Sequence, residues 1–381
     1  MTDTSHPTRG SSLKDQLFNA GKVGWLADRI AQVHRGFDRS GFEAEVMARF
    51  PELELKARAD WMAAVLARHL PPDFAAASAV IRAALPEPLD PNLTDNDFGD
   101  FIILPLGIFV AEQGLARQDV ALPLLRELTM RFSMEYPVRP LIVADPDGMM
   151  RVLTQWAEDD NYHVRRLVSE GSRPLLPWAS RLGLPHDWAL PLLDRLHGDK
   201  TRYVTRSVAN HLNDITKNHA DLVVTQLRGW QGTKRQRQGE LDWMSRHALR
   251  TLVKKGHPGA LSHLGFAQGV AVTAELRLPK VVQIGGTLDL VADLTPAADG
   301  KLVVDYALHF IKANGQSAAK VFKLKVTEGR AGQMVQLRKS HRLHAAATTY
   351  RLFPGLHRVD LLVNGGVVAS DSFNLTAGVA G

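Results

Sequence analysis

The apolar residues of this 381-residue chain change period once, near residue 268, and that change sets the fold class. Before it they recur every three or four positions. In "LELKARADWMAAVLARHLPP", Leu55, Ala59, Met62, Leu66 and Leu70 form one stripe of a helix. Pro71-Pro72 stop it, because proline lacks an N–H and clashes with the preceding turn. After the change, "VAVTAELRL", "TLDLVADLT", "LVVDYALHFI", "KVFKLKVTE" and "HRVDLLVNGGVVASDSFNL" alternate apolar with polar residues and favour β-branched types. Turn signals at Asn314-Gly315 and Asn364-Gly365-Gly366 divide them. The pattern predicts about six or seven short strands in roughly 110 residues, the size of an immunoglobulin-like sandwich.

The helical part repeats itself. "DDNYHVRRLVSEG" at 159–171 aligns with "DKTRYVTRSVANH" at 199–211, matching Val164 to Val204, Arg166 to Arg206 and Val168 to Val208. The period is 40, and one more step reaches "MSRHALRTL" at 244–252, where Arg246 matches Arg206. Asp ahead of an apolar helix at this period is the signature of HEAT-type helical pairs, which stack into a solenoid with a concave face. The expected organisation is a disordered tail at 1–12, a HEAT-like α-solenoid at 13–267 and a C-terminal all-β sandwich at 268–381, with the boundary near "GFAQG".

Composition excludes several classes. The chain has no cysteine, so disulfides and thiolate metal sites are ruled out, as suits a reducing cytoplasm. "MTDTSHPTRGSS" has no apolar run, so no signal peptide is expected. No apolar stretch approaches the roughly 18 residues of a membrane span. No Gly-rich phosphate loop, HExxH or GxSxG occurs, and the fifteen histidines lack clear metal spacing. No cofactor, metal or obligate protein partner is expected, and a monomer is the default. The net charge of +6 is unevenly spread. Residues 228–258 carry eight Lys/Arg against two acids, whereas 86–100 carry five acids and no Lys/Arg. The first region can face phosphate and the second opposes it.

The chemistry-bearing residues gather in "WAEDDNYHVRRLVSEGSRPLLPW" at 156–178. Val164, Leu167 and Val168 make a buried stripe flanked by Arg165 and Arg166. Glu170 then falls at the helix C-terminus with Gly171 as the expected C′ residue. A carboxylate there opposes the helix dipole at a cost of about 0.3–1 kcal/mol. Either a cation such as Arg166 or Arg173 compensates, or the negative charge has a use. Trp178 follows Pro177 at the expected start of the next helix, although a tryptophan in a helical repeat is more often core. "FSMEYPVRPLI" at 132–142 spaces Glu135 and Arg139 for an ion pair, with Pro137 between them. Lys254-Lys255-Gly256-His257-Pro258 ends a helix preceded by Arg246 and Arg250, a favourable place for cations whether or not they meet phosphate. Lys320, Lys323, Lys325, Arg338, Lys339 and Arg342 form a second basic set that strand-edge protection would also explain.

Taken together, "LELKARADWMAAVL", "FSMEYPVRPLI", "WAEDDNYHVRRLVSEGSRPLLPW" and "RHALRTLVKKGHPGAL", in this order, resemble the AlkC branch of the bacterial DNA alkylation repair glycosylases. "TYRLFPGLHRVDLLVNG" looks like the immunoglobulin-like domain that separates AlkC from AlkD proteins. One departure is Tyr136-Pro137-Val138-Arg139-Pro140-Leu141, where family members often have Phe-Ala-Ile-Arg-Pro-Phe. The resemblance implies a bacterial cytoplasmic enzyme, associated with the nucleoid through double-stranded DNA. It would excise cationic alkylated bases such as 3-methyladenine and 3-methylcytosine without flipping them into a pocket. Glu135, Glu170 and Trp178, with Asp214 in "NHLNDI" as a weaker third carboxylate, become the catalytic candidates. Arg139, Arg165, Arg166, Arg173, Arg206, Arg246, Lys254 and Lys255 become the DNA-phosphate candidates. Two rivals stand beside this reading: a non-enzymatic helical-repeat scaffold, and an AlkD-like enzyme acting on bulky or 7-alkylated bases.

Overall fold

A computed structural model describes residues 12–92, 98–267, 269–312, 315–345 and 351–377. The expected tail, apart from Ser12, and the Asn314 half of one turn signal lie outside the described residues. The chain divides into two compact units. The first comprises Met1–Ile215 with Lys234–Arg237, the second Thr216–Thr233 with Gln238–Gly381.

The first unit is helical. It runs through α1 (Leu13–Leu17), α2 (Ala20–Val33), α3 (Arg39–Arg49), α4 (Leu55–His69), α5 (Phe74–Ala84), α6 (Leu104–Gln113) and α7 (Gln118–Thr129). It continues with α8 (Val138–Ala144), α9 (Pro146–Trp156), α10 (Tyr162–Gly171), α11 (Leu190–Leu196) and α12 (Arg202–Ile215). The α4 stripe is as the spacing implied: Ala59, Met62, Leu66 and Leu70 are buried, while Leu55 is half-buried. The two best-matched repeat segments become α10 and α12, which pack on each other. The aspartates ahead of them have a repeated job. Asp159 accepts from Arg126 Nε at 2.5 Å, and Asp199 accepts from Arg165 Nε at 2.5 Å. Each carboxylate also takes a backbone N–H at the start of the helix that follows. Each ion pair thus ties an earlier helix, α7 or α10, to the start of a later one, α10 or α12, which the same carboxylate caps.

The second unit combines α13 (Ala220–Thr233), α14 (Gln238–Ala248), α15 (Arg250–Lys254) and α16 (Pro258–His263) with eight strands. β1 (Val272–Arg277), β3 (Thr287–Pro296) and β6 (Val335–Arg342) form one sheet in the order β1-β3-β6. β2 (Val281–Gln283), β4 (Gly300–Ile311), β5 (Ser317–Gly329), β7 (Gly355–Val363) and β8 (Gly366–Thr376) form the other, in the order β2-β8-β7-β4-β5. Leu288, Leu290 and Leu294 of β3 face Tyr306, Leu308 and Leu361 in the core between them. Among the described residues the eight strands exceed the six or seven that alternation suggested. β2 has three residues, too few to show a period, and β6 reads "VQLRKSHR", with only Leu337 fully inward. β5 and β6 are edge strands, so their lysines and arginines line sheet edges. β4 breaks alternation for a different reason: Leu302–Leu308 is buried without interruption. Helices cover its second face. Ala267 N–H donates to the Lys301 carbonyl at 3.0 Å, and Lys301 Nζ reaches the Leu264 carbonyl at 3.3 Å. Gly256 and Gly365, both at positive φ, let the helical and sheet backbones meet where a Cβ would clash.

Candidate functional site

α10 is buried on every side, Tyr162 through Gly171, although it carries two arginines and a glutamate. Charges removed from water must be paired and hydrogen-bonded, and the surrounding elements supply the partners. Ser133 and Arg166 both donate to Oε2 of Glu135. Arg166 Nη2 lies 3.6 Å from Glu170 Oε1, to which Arg173 Nη1 donates at 2.6 Å. The Ser207 hydroxyl of α12 donates to Glu170 Oε2 at 2.6 Å. Arg173 Nε then reaches Asp214 Oδ2 at 2.9 Å. The Tyr203 ring packs on the Arg166 guanidinium, 4.9 Å from its centroid. Three carboxylates therefore alternate with two guanidiniums in one chain of contacts, with a formal charge of −1. Burial would raise the Glu170 pKa, but Arg166, Arg173 and the Ser207 hydrogen bond outweigh it and hold the carboxyl below its usual range.

Three local expectations need correction. Gly171 ends α10 with ordinary helical φ; it is not a left-handed C′ residue. Its role is close packing, because a Cβ there would stand 2.5 Å from Val138 Cγ1. Trp178 does not open a helix: the chain from Arg173 to Ala189 forms turns and coil, and Trp178 sits at φ 66° with its side chain 77% exposed. That conformation costs a β-carbon residue about 1–2 kcal/mol, so the surroundings must enforce it. The Glu135–Arg139 pair does not form either. Pro137 is the N-cap of α8, leaving Glu135 in the preceding turn, and the buried Arg139 turns to carbonyl oxygens. Burial, with Arg173 nearby, lowers the Arg139 pKa to about 10, and Asp214 offsets only part of it.

Glu135, half-buried, and Trp178 open on the same cleft of about 340 Å³, lined also by Phe101, Phe132, Ser133 and Tyr136. Lys56 sits over the Tyr136 ring at 4.6 Å. Glu170 and Asp214 lie behind Glu135, linked to it through Arg166 and Arg173. Trp156 is core. Arg165 is buried on Asp199 and the carbonyls of Asp159 and Asp160, and Arg206 is half-buried on α12. Sequence reasoning missed Ser133, Ser207, Lys56 and Tyr136. Ser133 and Ser207 carry no motif, and only the fold brings them to the carboxylates.

Gly171 offers a direct probe of the spacing between α8 and α10. Gly171→Ala gains up to about 1 kcal/mol of helix propensity, but overpacking against the fully buried, β-branched Val138 costs about 1–3 kcal/mol. Overpacking wins. The variant should unfold at lower denaturant than the parent in a chemical melt, and an equal or higher midpoint would show that α8 can yield.

The second unit has a cleft of its own, about 270 Å³, with Arg246, Arg250, Lys254, Lys301 and Lys323 around it and Asp242 as its acid. Arg246, Lys254 and Lys323 are exposed, as is Lys255. Lys301 is held over the Phe266 ring at 4.9 Å. Among the described residues no helix is long and apolar enough to cross a membrane.

Comparison with known proteins covers both units. Residues 272–377 match the family model described as "Uncharacterised protein YhaZ, C-terminal Ig-like domain". The uncharacterized protein YhaZ of Bacillus subtilis is 31% identical over 366 residues, 94% of this chain and 98% of that protein. The solved structure of the Pseudomonas fluorescens alkylpurine DNA glycosylase AlkC, bound to DNA containing an abasic site analog, is 34% identical with a TM-score of 0.86. That match covers 96% of this chain and 100% of the other. With the helical repeats, the immunoglobulin-like sandwich and the full-length match in agreement, the chain belongs to the AlkC family.

Proposed function

We propose that this protein is a DNA glycosylase that hydrolyses the N-glycosidic bond of cationic alkylated bases, 3-methyladenine and 3-methylcytosine, in double-stranded DNA. The observation that carries the reading is the carboxylate–arginine chain that ends at Glu135 beside the exposed Trp178 ring. It stands in a chain that matches an alkylpurine glycosylase over 96% of its length.

The chemistry asks for that arrangement. An N3-alkylated base already carries positive charge, so it leaves without being protonated. As the bond stretches, positive charge moves to the deoxyribose. A fixed carboxylate beside the sugar stabilises that charge, and can orient or deprotonate the attacking water. Arg166 and Ser133 both hold Glu135 Oε2, leaving Oε1 for this task. The Trp178 face adds attraction for the cationic sugar or lesion, about 0.5–2 kcal/mol. Because Trp178 is exposed rather than enclosed, a base need not leave the stack to meet it, which supports excision without flipping. Glu170 and Asp214 act from behind: they neutralise Arg166 and Arg173, so that Arg166 holds Glu135 without cancelling the site's negative charge. In this reading Arg139, Arg165, Arg166 and Arg173 shape the site. Phosphates fall to Arg206 and to Arg246, Lys254 and Lys255.

The test is release of bases from methylated DNA under single-turnover conditions, wild type beside Trp178→Ala. Wild type should free 3-methyladenine and 3-methylcytosine in preference to 7-methylguanine, and loss of the ring should slow release by roughly 10-fold. DNA binding without any release by wild type would leave a scaffold; equal release of 7-methylguanine would point to an AlkD-like range. The phosphate assignment has a separate readout. Each neutralised phosphate adds about 0.9 to the salt slope. Arg246→Gln with Lys254→Gln should therefore flatten the slope of log affinity against log salt by about 1.8. An unchanged slope would remove that cleft from the interface.

A further inference from the structure

We infer that Arg139 is a positioning residue whose guanidinium staples the Trp178 loop in its working conformation, and that it is not a phosphate ligand. The inference rests on the reading of Trp178 as the face that meets the sugar or lesion.

Arg139 lies in the first turn of α8, is 4% exposed, and gives four hydrogen bonds to three carbonyl oxygens. Nη1 reaches the Gly171 and Arg173 carbonyls at 2.8 and 2.9 Å, and Nε and Nη2 reach the Ser180 carbonyl at 3.2 and 2.7 Å. Those acceptors bracket Trp178. Gly171 and Arg173 lie where the chain leaves α10, and Ser180 lies two residues beyond the ring. The loop has two apolar anchors besides, the buried Leu176 and Leu182. It forms no regular element between Arg173 and Ala189; the backbone bond that spans Trp178, from Ala179 N–H to the Leu176 carbonyl, is 3.3 Å long, and a second, from Trp188 N–H to the Pro185 carbonyl, lies further along at 3.1 Å. Trp178 itself is exposed and holds φ 66°, a conformation that relaxes unless it is enforced from outside. A buried fork of donors converging on the chain before and after Trp178 provides the enforcement. Only a guanidinium can do this, because its planar donors span three acceptors that a single ammonium cannot reach together.

Loop geometry and catalysis are read separately. Protein labelled with 5-fluorotryptophan gives one ¹⁹F signal per tryptophan, and the Trp178 signal is the one that vanishes in Trp178→Phe. In folded Arg139→Lys, which keeps the charge and most of the side chain, that signal should shift or broaden while the others stay. On methylated DNA at saturation, Arg139→Lys and Arg139→Gln should each lower the single-turnover rate by up to about 10-fold, the loss expected for Trp178→Ala, because a displaced ring costs no more than an absent one. The Kd and the salt slope should not move. In a Trp178→Ala background, Arg139→Gln should add little further loss, since both changes act through one ring.

A weaker Kd, a salt slope smaller by about 0.9 and a full rate at saturation would overturn the inference in favour of a phosphate contact. Additive losses in the double variant, or an unmoved fluorine signal in Arg139→Lys, would overturn it as well. If Trp178→Ala leaves release untouched, the catalytic reading of Trp178 fails on its own, and the fluorine signal still decides whether Arg139 holds the loop.

Discussion

Glu135→Gln should lower the single-turnover rate of base release by about 10²–10³-fold and leave DNA affinity within about threefold. The substitution keeps size, shape and the acceptor oxygen that Ser133 and Arg166 approach. What it removes is one negative charge at the mouth of the cleft. A neutral amide cannot stabilise an oxocarbenium-like sugar or take a proton from water, and Arg166 loses its counter-charge there. The formal charge of the carboxylate–arginine chain changes from −1 to zero. Ground-state binding should scarcely notice, because phosphates supply most of the affinity and a carboxylate repels them. An effect on rate without one on binding is the mark of an interaction made in the transition state. If the variant retains near-wild-type release, Glu135 is a structural partner of Arg166 and the chemistry belongs elsewhere.

How much of this was legible in the sequence depends on which force writes each feature. Burial of a face imposes a period, so α4 and β3 could be read directly from Leu66 or Leu290 and their neighbours. Elements buried by partners distant in sequence show no such period. β6 packs one residue inward, and β4 is buried on both faces, Asp305 included, because helices cover the sheet. At the site, residue types were legible and directions were not. Glu170 at the end of α10 demanded a cation, and both nearby arginines supply it, but Ser207 reaches it only because α10 and α12 lie side by side. Arg139 was spaced for an ion pair with Glu135, and both it and Arg165 stood among the phosphate candidates. The fold buries both, one on carbonyl oxygens and one on Asp199. Trp178 read as a helix start because Pro177 precedes it; the structure instead holds it in a turn.

Glu170→Met carries the largest expected effect on stability. Glu170 is almost fully buried and accepts from Arg173 and Ser207 while lying 3.6 Å from Arg166. Replacing a whole buried ion network by apolar residues can be neutral, but removing one member strands the others. Here Arg166 keeps Glu135 and Arg173 keeps Asp214, so the loss should fall at the low end of the usual 3–5 kcal/mol, about 3 kcal/mol. For a unit the size of Met1–Ile215 that corresponds to a fall in Tm of about 6–12 °C. The pH dependence identifies the cause. The folded Glu170 pKa lies below its ordinary value of 4.5, so its stabilisation is complete above 4.5 and is lost as pH falls through the lowered folded value. Glu170→Met has no such proton to take up. The difference in Tm between wild type and variant should therefore be constant near neutrality and shrink as the pH drops below 4.5. His211, whose pKa burial lowers to about 4, titrates in both proteins; Glu170 raises it in part, so His211 is harder to protonate in the variant and opposes some of that shrinkage. A difference that persists unchanged into acid would mean that the methionine disturbs packing, and that the Glu170 charge is not what holds α10 to α12.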